Sequence, residues 1–294
     1  MATDSLAGAG GLSWWLDPSQ STRIPIVDGG VVALADVNAI WWRRSGIYQL
    51  VTRDMDDAPA IDVINHDCHA ALLGSLATDF RGRWISEPSA TRVAENKLVQ
   101  LRYAQLLGFS VPDTLVSQDP DEITAFFDKH NGNVIVKALR GTHREPLPTQ
   151  RLTRDHLLSR RGLTLAPAIY QECIPGERHI RVCAFSHQIH AFELATTELD
   201  WRPASDLSAS YTDLPSALIS LIHKMLDSLH LRMGIFDFKI DSRSREPVWL
   251  EVNPQGQFFF LEALSGYDLR GPLCNFLVCQ TREGAQDKQT ERSL

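Results

Sequence analysis

The chain has 294 residues, 44% of them hydrophobic, and a formal net charge of −7, which together predict a globular protein of one large domain or two to three small ones. The acidic balance argues against a general nucleic-acid binder, because such proteins gain affinity from a basic surface. No apolar run has the length of a membrane span, no secretory signal opens the chain, and the five cysteines are scattered, so we expect a cytoplasmic protein with reduced cysteines.

The first part of the chain carries weak patterns. Glycine, serine and proline interrupt residues 1–30, and a strand is expected only near 30–35. The segment VNAIWWRR at 37–44 then passes abruptly from apolar to doubly basic residues, as a buried strand does when its end opens onto a charged site. Arg43 and Arg44 are therefore candidates for ligand binding, although a solvated strand end would look the same.

The middle of the chain alternates helices and strands and contains two lysines of interest. Residues 61–81 and 96–107 have the apolar spacing of helices, with Lys97 at the start of the second. Residues 133–139, NVIVKAL, predict a β-branched strand with one charge, Lys137. Such a lysine either reaches water at a sheet edge or has a partner, for which a phosphate is suitable. The following loop, 140–148, carries Arg140 and Arg144, which suit an anionic ligand.

A strand over 168–174 is stopped by Pro175 and Gly176. Its last backbone groups are left unpaired, so they could read the edge of a planar base while a nearby carboxylate accepts sugar hydroxyls. Glu172 and Glu177 fit such positions. Beyond this turn, the pattern HIRVCAF places Arg181 inside an apolar strand, and DWR at 200–202 adds Arg202.

The segment from Met233 to Glu262 predicts a hairpin with a metal site. Its strands are expected over 234–240 and 248–253, and alternation places Glu251 and Asn253 on one face, where a paired strand could bring Asp237 beside them. Magnesium prefers such oxygen ligands. The alternative is a surface hairpin whose acidic residues face water, but the apolar neighbours favour burial and a compensating cation.

Taken in order, these features resemble the ATP-grasp superfamily, which couples ATP cleavage to joining a carboxylate with an amine or hydroxyl. The match covers roughly residues 90–280, and WWRR at 41–44, DWR at 200–202 and NPQGQFFFLEALSG at 253–266 extend it towards the ATP-grasp maturases that macrocyclise ribosomal peptides, the graspetide or microviridin type. The resemblance implies an α+β or α/β ATP-grasp fold with nucleotide between two α+β subdomains. It divides the chain into a shortened N-terminal domain (1–92), a central subdomain (93–175), a C-terminal subdomain (176–280) and a disordered tail (281–294).

The same resemblance implies roles for the candidate residues. Lys97 and Lys137 would contact the phosphates of ATP. Glu172 and backbone groups near Ile174 would line the adenine pocket, with Glu177 on the ribose. Asp237, Glu251 and Asn253 would bind Mg²⁺, and Arg181 and Arg202 would be the catalytic cations that steady the γ-phosphate and the acyl phosphate. Arg43, Arg44, Arg140 and Arg144 would hold an acidic core peptide. The chain departs from the usual pattern at His179, where relatives have an acidic residue.

The implied activity is ATP-dependent activation of Asp or Glu side chains in a precursor peptide, followed by ester or amide ring closure with Ser, Thr or Lys. The implied partner is a leader-plus-core precursor peptide, with a homodimer as the implied assembly and no nucleic-acid or membrane partner. Two alternatives stay open: a ligase that adds amino acids to a protein terminus or small molecule, and an inactive ATP-grasp partner subunit.

Overall fold

A computed structural model describes residues 3–8, 11–27, 29–140, 147–202 and 204–291. The strands are β1 (Arg23–Pro25), β2 (Val31–Ala33), β3 (Ala39–Trp41), β4 (Arg83–Ile85), β5 (Thr114–Ser117), β6 (Val134–Lys137), β7 (Gln150–Arg151), β8 (Ala168–Glu172), β9 (Arg178–Phe185), β10 (Gln188–Ala195), β11 (Ser208–Thr212), β12 (Met233–Ile240) and β13 (Pro247–Asn253). The helices are α1 (Ala58–Asp79), α2 (Pro88–Ala94), α3 (Lys97–Leu107), α4 (Pro120–Lys129), α5 (Arg154–Leu158), α6 (Arg160–Leu163), α7 (Ser216–Ser228), α8 (Phe259–Ser265) and α9 (Arg270–Glu291).

The chain divides into two compact units. The first combines Met1–Ile85 with Cys274–Leu294, and the second is the continuous segment Ser86–Leu273. This mixture of helices and largely antiparallel sheets confirms the predicted α+β class. None of the helices in the described ranges is both long enough and apolar enough to cross a lipid bilayer.

The first unit holds two small sheets, the antiparallel pair β1–β2 and the parallel pair β3–β4. The strand expected over 37–44 is shorter in the structure, three residues in β3. Helix α1 packs Leu72 and Leu76 against Leu34 and Trp42, so this unit has its own apolar core.

The C-terminal helix corrects the sequence analysis. We expected a helix around 267–278 and then a disordered tail over 281–294, and this is wrong as far as Glu291, because α9 continues to that residue. The reason is a set of polar contacts within the first unit. Arg83 pairs with Glu283 at 2.7 Å, and the Lys288 ammonium donates to two backbone carbonyls before β3, at 2.5 and 2.8 Å. Long-range pairing therefore orders a polar segment that has no apolar stripe of its own.

The second unit is built on two antiparallel sheets. The small sheet has the order β5-β8-β6-β7, and the large sheet has the order β11-β10-β9-β12-β13. Helices α3 and α7 cover one face of the large sheet, where Val182 and Phe236 meet Ile222 and Met225 in the core. The other face is left for the polar side chains of the candidate site. Strand β6 lies between β8, which pairs with Lys137 through Ile169, and β7, whose pairing ends at Val136.

The predicted hairpin is confirmed. Strands β12 and β13 pair antiparallel, with Asp237 opposite Glu251 and Ile235 opposite Asn253. A bulge follows Asp237, where the register shifts. Alternation along β12 buries Phe236 and Phe238 in the core under the helices and so turns Asp237 to the opposite face.

Candidate functional site

The centre of the site is an ion pair between neighbouring strands. Asp237 on β12 lies opposite Arg181 on β9, and one guanidinium nitrogen of Arg181 donates to both carboxylate oxygens at 2.7 Å. A second nitrogen donates to the Gln257 carbonyl at 2.7 Å, and the guanidinium lies over the Trp201 ring, 4.7 Å from its centroid. The cation is therefore fixed in place by three different contacts.

Asp237 is strongly buried, with 8% of its side chain exposed. Burial raises the pKa of Asp237 to about 6, and this effect outweighs the opposing charge of Arg181, while the nearby negative charge of Glu251 raises the pKa further. Two carboxylates that repel each other in a buried position favour the binding of an additional cation.

Helix α3 brings the first predicted lysine to this pair of carboxylates. Asn96 caps the helix by accepting from the Leu98 amide at 3.0 Å, which sets Lys97 as the first helical residue. Gln100 then joins α3 to β13 through both backbone groups of Val252, at 2.8 and 3.1 Å. With the helix held in this way, the Lys97 ammonium donates to Glu251 at 2.7 Å.

The pKa of Glu251 reflects this contact. Burial, the largest single effect, would raise it, but the charge and hydrogen bond of Lys97, together with the charges of Lys137 and Arg202, outweigh burial and lower the pKa to about 2. Glu251 is therefore ionised at neutral pH, even though Asp237 lies directly opposite on the neighbouring strand.

Lys137 and Arg202 complete the group of cations. Burial lowers the pKa of Lys137 to about 8, and the charge of Lys97 lowers it further, while Glu251 and Asp200 act in the opposite direction. Arg202 donates from its Nε to Asp200 at 2.8 Å and also through a terminal nitrogen. The structure thus gathers Lys97, Lys137, Arg181 and Arg202 around Asp237 and Glu251. Hereafter these six residues are called the charge cluster.

The donor set at the hairpin fits a magnesium ion. Asp237 and Glu251 face each other, and Asn253 lies two residues beyond Glu251 on the same strand, where its side-chain oxygen accepts from the Gln255 amide at 2.9 Å. Within the described ranges, no three histidine, cysteine or acidic side chains are grouped as metal ligands. A metal here would therefore depend on two carboxylates, one amide oxygen and oxygens from a bound substrate, which is the usual set for magnesium.

The residues predicted for the adenine and ribose lie at the end of β8 and in the turn after it. Glu172 forms an ion pair with Arg243 at 3.0 Å, Ile174 is buried and Glu177 is exposed. Gly176 has a φ of +135° and lies against the Ile240 carbonyl, which leaves no room for a Cβ. The roles of these residues towards a nucleotide stay predictions.

The arginines predicted to hold a peptide are dispersed. Arg140 is exposed near the start of the loop after β6, and Arg144 lies outside the described residues. Arg43 and Arg44 belong to the first unit, where the Arg43 guanidinium lies 5.3 Å from the centre of the Trp41 ring and Arg44 has a φ of +51°. Of the three arginines among the described residues, only Arg140 belongs to the same unit as the charge cluster.

Several residues that shape the site were not among the candidates chosen from the sequence. Asp200 is 9% exposed and accepts from the Thr149 amide at 3.2 Å as well as from Arg202, so it joins the connection before β7 to the connection between β10 and β11. Trp201 stacks on Phe260, and both rings lie near Arg181. The DWR motif was the available signal for Asp200 and Trp201, whereas the role of Gln100 has no sequence signature.

Comparison with solved structures gives extensive matches. The macrocyclase MdnC of Microcystis aeruginosa MRC, determined with its precursor peptide MdnA, matches with a TM-score of 0.82 over 96% of this chain and 88% of its own, at 23% identity. Macrocyclase MdnB of the same organism matches with a TM-score of 0.79 over 95% and 89%, at 26% identity.

A ribosomal-peptide-associated ATP-grasp ligase of Chryseobacterium gregarium, in complex with ADP and with leader and core peptides, matches with a TM-score of 0.79 over 90% of this chain and 83% of its own, at 23% identity. The ATP-grasp ligase PsnB, determined with magnesium and ADP, has a TM-score of 0.66 over 90% and 86%, at 21% identity. The predicted resemblance to ATP-grasp maturases and the predicted fold are thereby confirmed.

Sequence comparison adds less. No family model matches the chain. A glutathione synthetase of Bradyrhizobium diazoefficiens is 44% identical over 57 residues, which are 19% of this chain and only 17% of that synthetase. This short match is with a ligase and does not extend to the whole enzyme.

Proposed function

We propose that this chain, which has the ATP-grasp fold of the ribosomal-peptide macrocyclases, is an ATP-dependent ligase that closes rings between side chains of a precursor peptide. The observation that carries the proposal is the charge cluster. Four cationic side chains surround two carboxylates on one face of the large sheet, an arrangement suited to neutralising the charge of a transferring phosphoryl group.

The first step would transfer the γ-phosphoryl group of ATP to a carboxylate of the peptide. A carboxylate oxygen of an Asp or Glu attacks the γ-phosphorus, the bond to the β-phosphate oxygen breaks, and ADP leaves with that electron pair. Lys97, Lys137 and Arg202 neutralise the phosphoryl oxygens, and Arg181, held by three contacts, orients the γ-phosphate and then the acyl phosphate.

Asp237, Glu251 and Asn253 would hold the magnesium ion, which when bound supplies charge neutralisation between the phosphates. Before that, the carboxylates are kept in place by cations of the protein itself, Arg181 on Asp237 and Lys97 on Glu251. Their positions are therefore set by the fold before any ligand binds, which reduces the reorganisation needed at the moment of reaction.

In the second step a Ser or Thr hydroxyl, or a Lys amine, of the same peptide attacks the acyl carbon. The carbon–oxygen bond to phosphate breaks, inorganic phosphate leaves, and the proton of the nucleophile is released, giving a side-chain ester or amide. The bond type, the acidic core and its leader, and binding of the core by Arg140, Arg144, Arg43 and Arg44 belong to this proposal. A homodimer and a cytoplasmic location stay predictions.

The proposal is tested by incubating the purified protein and a candidate precursor peptide with ATP and magnesium and weighing the peptide. Ring closure removes the mass of one water per bond, and mild alkali reopens esters but not amides. Hydroxylamine, added during the reaction, should convert the acyl phosphate to a hydroxamate. Unchanged mass and no ADP release would overturn the proposal.

A mass increase that depends on an added amino acid would instead support a ligase that extends a protein terminus or a small molecule. The observation that favours this second function is the short match to glutathione synthetase. An inactive partner subunit is disfavoured by the charge cluster, because an assembly without catalysis has no need for a buried ion pair with further charged side chains gathered around it.

A further inference from the structure

Two buried polar side chains beside the charge cluster have no assigned role. His179 on β9 and Lys239 on β12 are register partners across the large sheet, and they are only 3% and 7% exposed. Neither ring nitrogen of His179 has a hydrogen-bond partner in the part of the chain that the structure describes. Within the same ranges, the Lys239 ammonium makes neither a side-chain hydrogen bond nor an ion pair, although its nitrogen, unlike those of His179, is not fully enclosed.

The pair lies on the same face as the charge cluster. Lys239 is two residues beyond Asp237 on β12, and His179 is two residues before Arg181 on β9, so alternation turns both towards the face that carries the ion pair. Two residues of strand correspond to about 7 Å. His179 and Lys239 therefore lie about that distance along the strands from Arg181 and Asp237.

On the side away from Asp237, His179 and Lys239 lie towards the segment that follows β8. The turn that follows β12 is joined to this segment, because the Ser242 amide donates to the Pro175 carbonyl at 2.9 Å. Cys173 and Arg151 lie close enough to Lys239 to act on its charge. His179 and Lys239 therefore lie between the phosphate end of the site and the segment predicted to line the base.

Burial of unpartnered donors and acceptors costs free energy unless a ligand satisfies them. Burial, followed by the charge of Lys239, lowers the pKa of His179 to about 4, so the imidazole is neutral at pH 7 and offers one donor and one acceptor. A site made for a further phosphate would favour a protonated imidazole. An ammonium beside a neutral imidazole instead suits the mixed donors and acceptors of a nucleoside.

We propose that His179 and Lys239 bind the nucleoside part of the nucleotide and determine which base is accepted. This inference rests on the proposed function, in that it requires the site to bind ATP. Both residues act in recognition, and neither touches the phosphoryl group that is transferred.

The test is calorimetric titration of wild-type protein, Lys239→Met and His179→Leu with magnesium and either ADP or inorganic pyrophosphate. Removal of a charged or a neutral hydrogen bond should weaken ADP binding about tenfold, while pyrophosphate binding stays at the wild-type value. The matched controls are Lys224→Met and His187→Leu, because both side chains are exposed and their variants should bind ADP as the wild type does.

The outcomes separate the inference from the proposed function. Unchanged ADP binding in both variants, or an equal loss for ADP and pyrophosphate, overturns the nucleoside role alone. A wild-type protein that binds neither ADP nor ATP overturns the proposed function and the inference together. Titration with GDP should show an altered ADP-to-GDP preference in the variants.

Folding of the variants is checked by thermal melting without ligand. Lys239→Met removes a charge from a residue that is 7% exposed and breaks no side-chain hydrogen bond or ion pair in the described ranges, so its melting temperature should equal or exceed that of the wild type. His179→Gln, which keeps one donor and one acceptor, provides a second variant that should recover part of the ADP affinity lost in His179→Leu. Equal loss in both His179 variants would contradict hydrogen bonding by the imidazole.

Discussion

Replacement of Glu251 by Gln tests the metal site and its preorganisation together. The ion pair with Lys97 spans 2.7 Å, and the two side chains are 25% and 27% exposed. Lys97, with help from the charges of Lys137 and Arg202, holds the pKa of Glu251 at about 2, against an ordinary value of 4.5. A lowered carboxylate pKa stabilises the folded state above the ordinary value and is lost as the pH falls through the lowered one, so the full contribution is present at pH 7.

The magnitude follows from that difference in pKa. At about 1.4 kcal/mol for each pKa unit, the interactions of Glu251 with its neighbouring cations would contribute roughly 3 kcal/mol, and partial exposure to water reduces this to about 1–2 kcal/mol. Glu251→Gln should therefore lower the free energy of unfolding by that amount, which corresponds to a fall of a few degrees in melting temperature, about 2–4 °C per kcal/mol. Chemical denaturation at pH 7 measures the first quantity directly.

The functional effect is expected to be larger than the loss of stability. Calorimetry of ADP with and without magnesium should show that magnesium tightens binding in the wild type, and that Glu251→Gln loses this gain together with product formation. Glu246→Gln is the matched control, because Glu246 is exposed in the turn of the same hairpin. Magnesium dependence and turnover that are equal in the two variants would refute the metal assignment.

Three further predictions concern other parts of the molecule. Arg181→Met leaves Asp237 buried without its cation and should lower the free energy of unfolding by about 3–5 kcal/mol. The double variant that also carries Asp237→Asn should recover most of this loss in denaturant titrations. Additive losses in the two variants would contradict direct pairing. The pKa of Lys137 is lowered to about 8 by burial, so the affinity for ADP should fall as the pH rises through 8, and calorimetry of Lys137→Met should show no such dependence. A Cβ on Gly284 would lie 2.0 Å from a backbone oxygen before β3, whereas a Cβ on Gly74 in α1 would meet open space. Gly284→Ala should therefore lower the melting temperature, and Gly74→Ala should leave it at the wild-type value or raise it. Equal effects of the two variants would argue against the packing of α9.

The part of the site that could be predicted from the sequence is the part that is local. Alternation within one strand and the short turn between β12 and β13 were sufficient to bring Asp237 beside Glu251, and the apolar spacing of residues 96–107 predicted that Lys97 lies at the start of a helix. The ion pair between Arg181 and Asp237 joins residues 56 positions apart, and it depends on the pairing of β9 with β12. No local pattern specifies that register.

The same limit explains what the sequence did not reveal. The contact between Asp200 and the Thr149 amide and the pairing of His179 with Lys239 depend on strand order in the large sheet and on the meeting of two sheets. Helix α9 was predicted to end early because residues 281–291 are polar throughout, and its order results from partners near residues 35–38 and at Arg83. In each case the deciding contact is distant in sequence.

The division of the chain has a consequence for the order of folding during synthesis. Arg83 and Asp287 form a hydrogen bond although they are 204 positions apart, so the first unit cannot complete its contacts until the last helix has left the ribosome. The second unit is continuous from Ser86 to Leu273 and can fold earlier as a whole. The nascent chain would therefore acquire its charge cluster first, and closure of the first unit by α9 would follow.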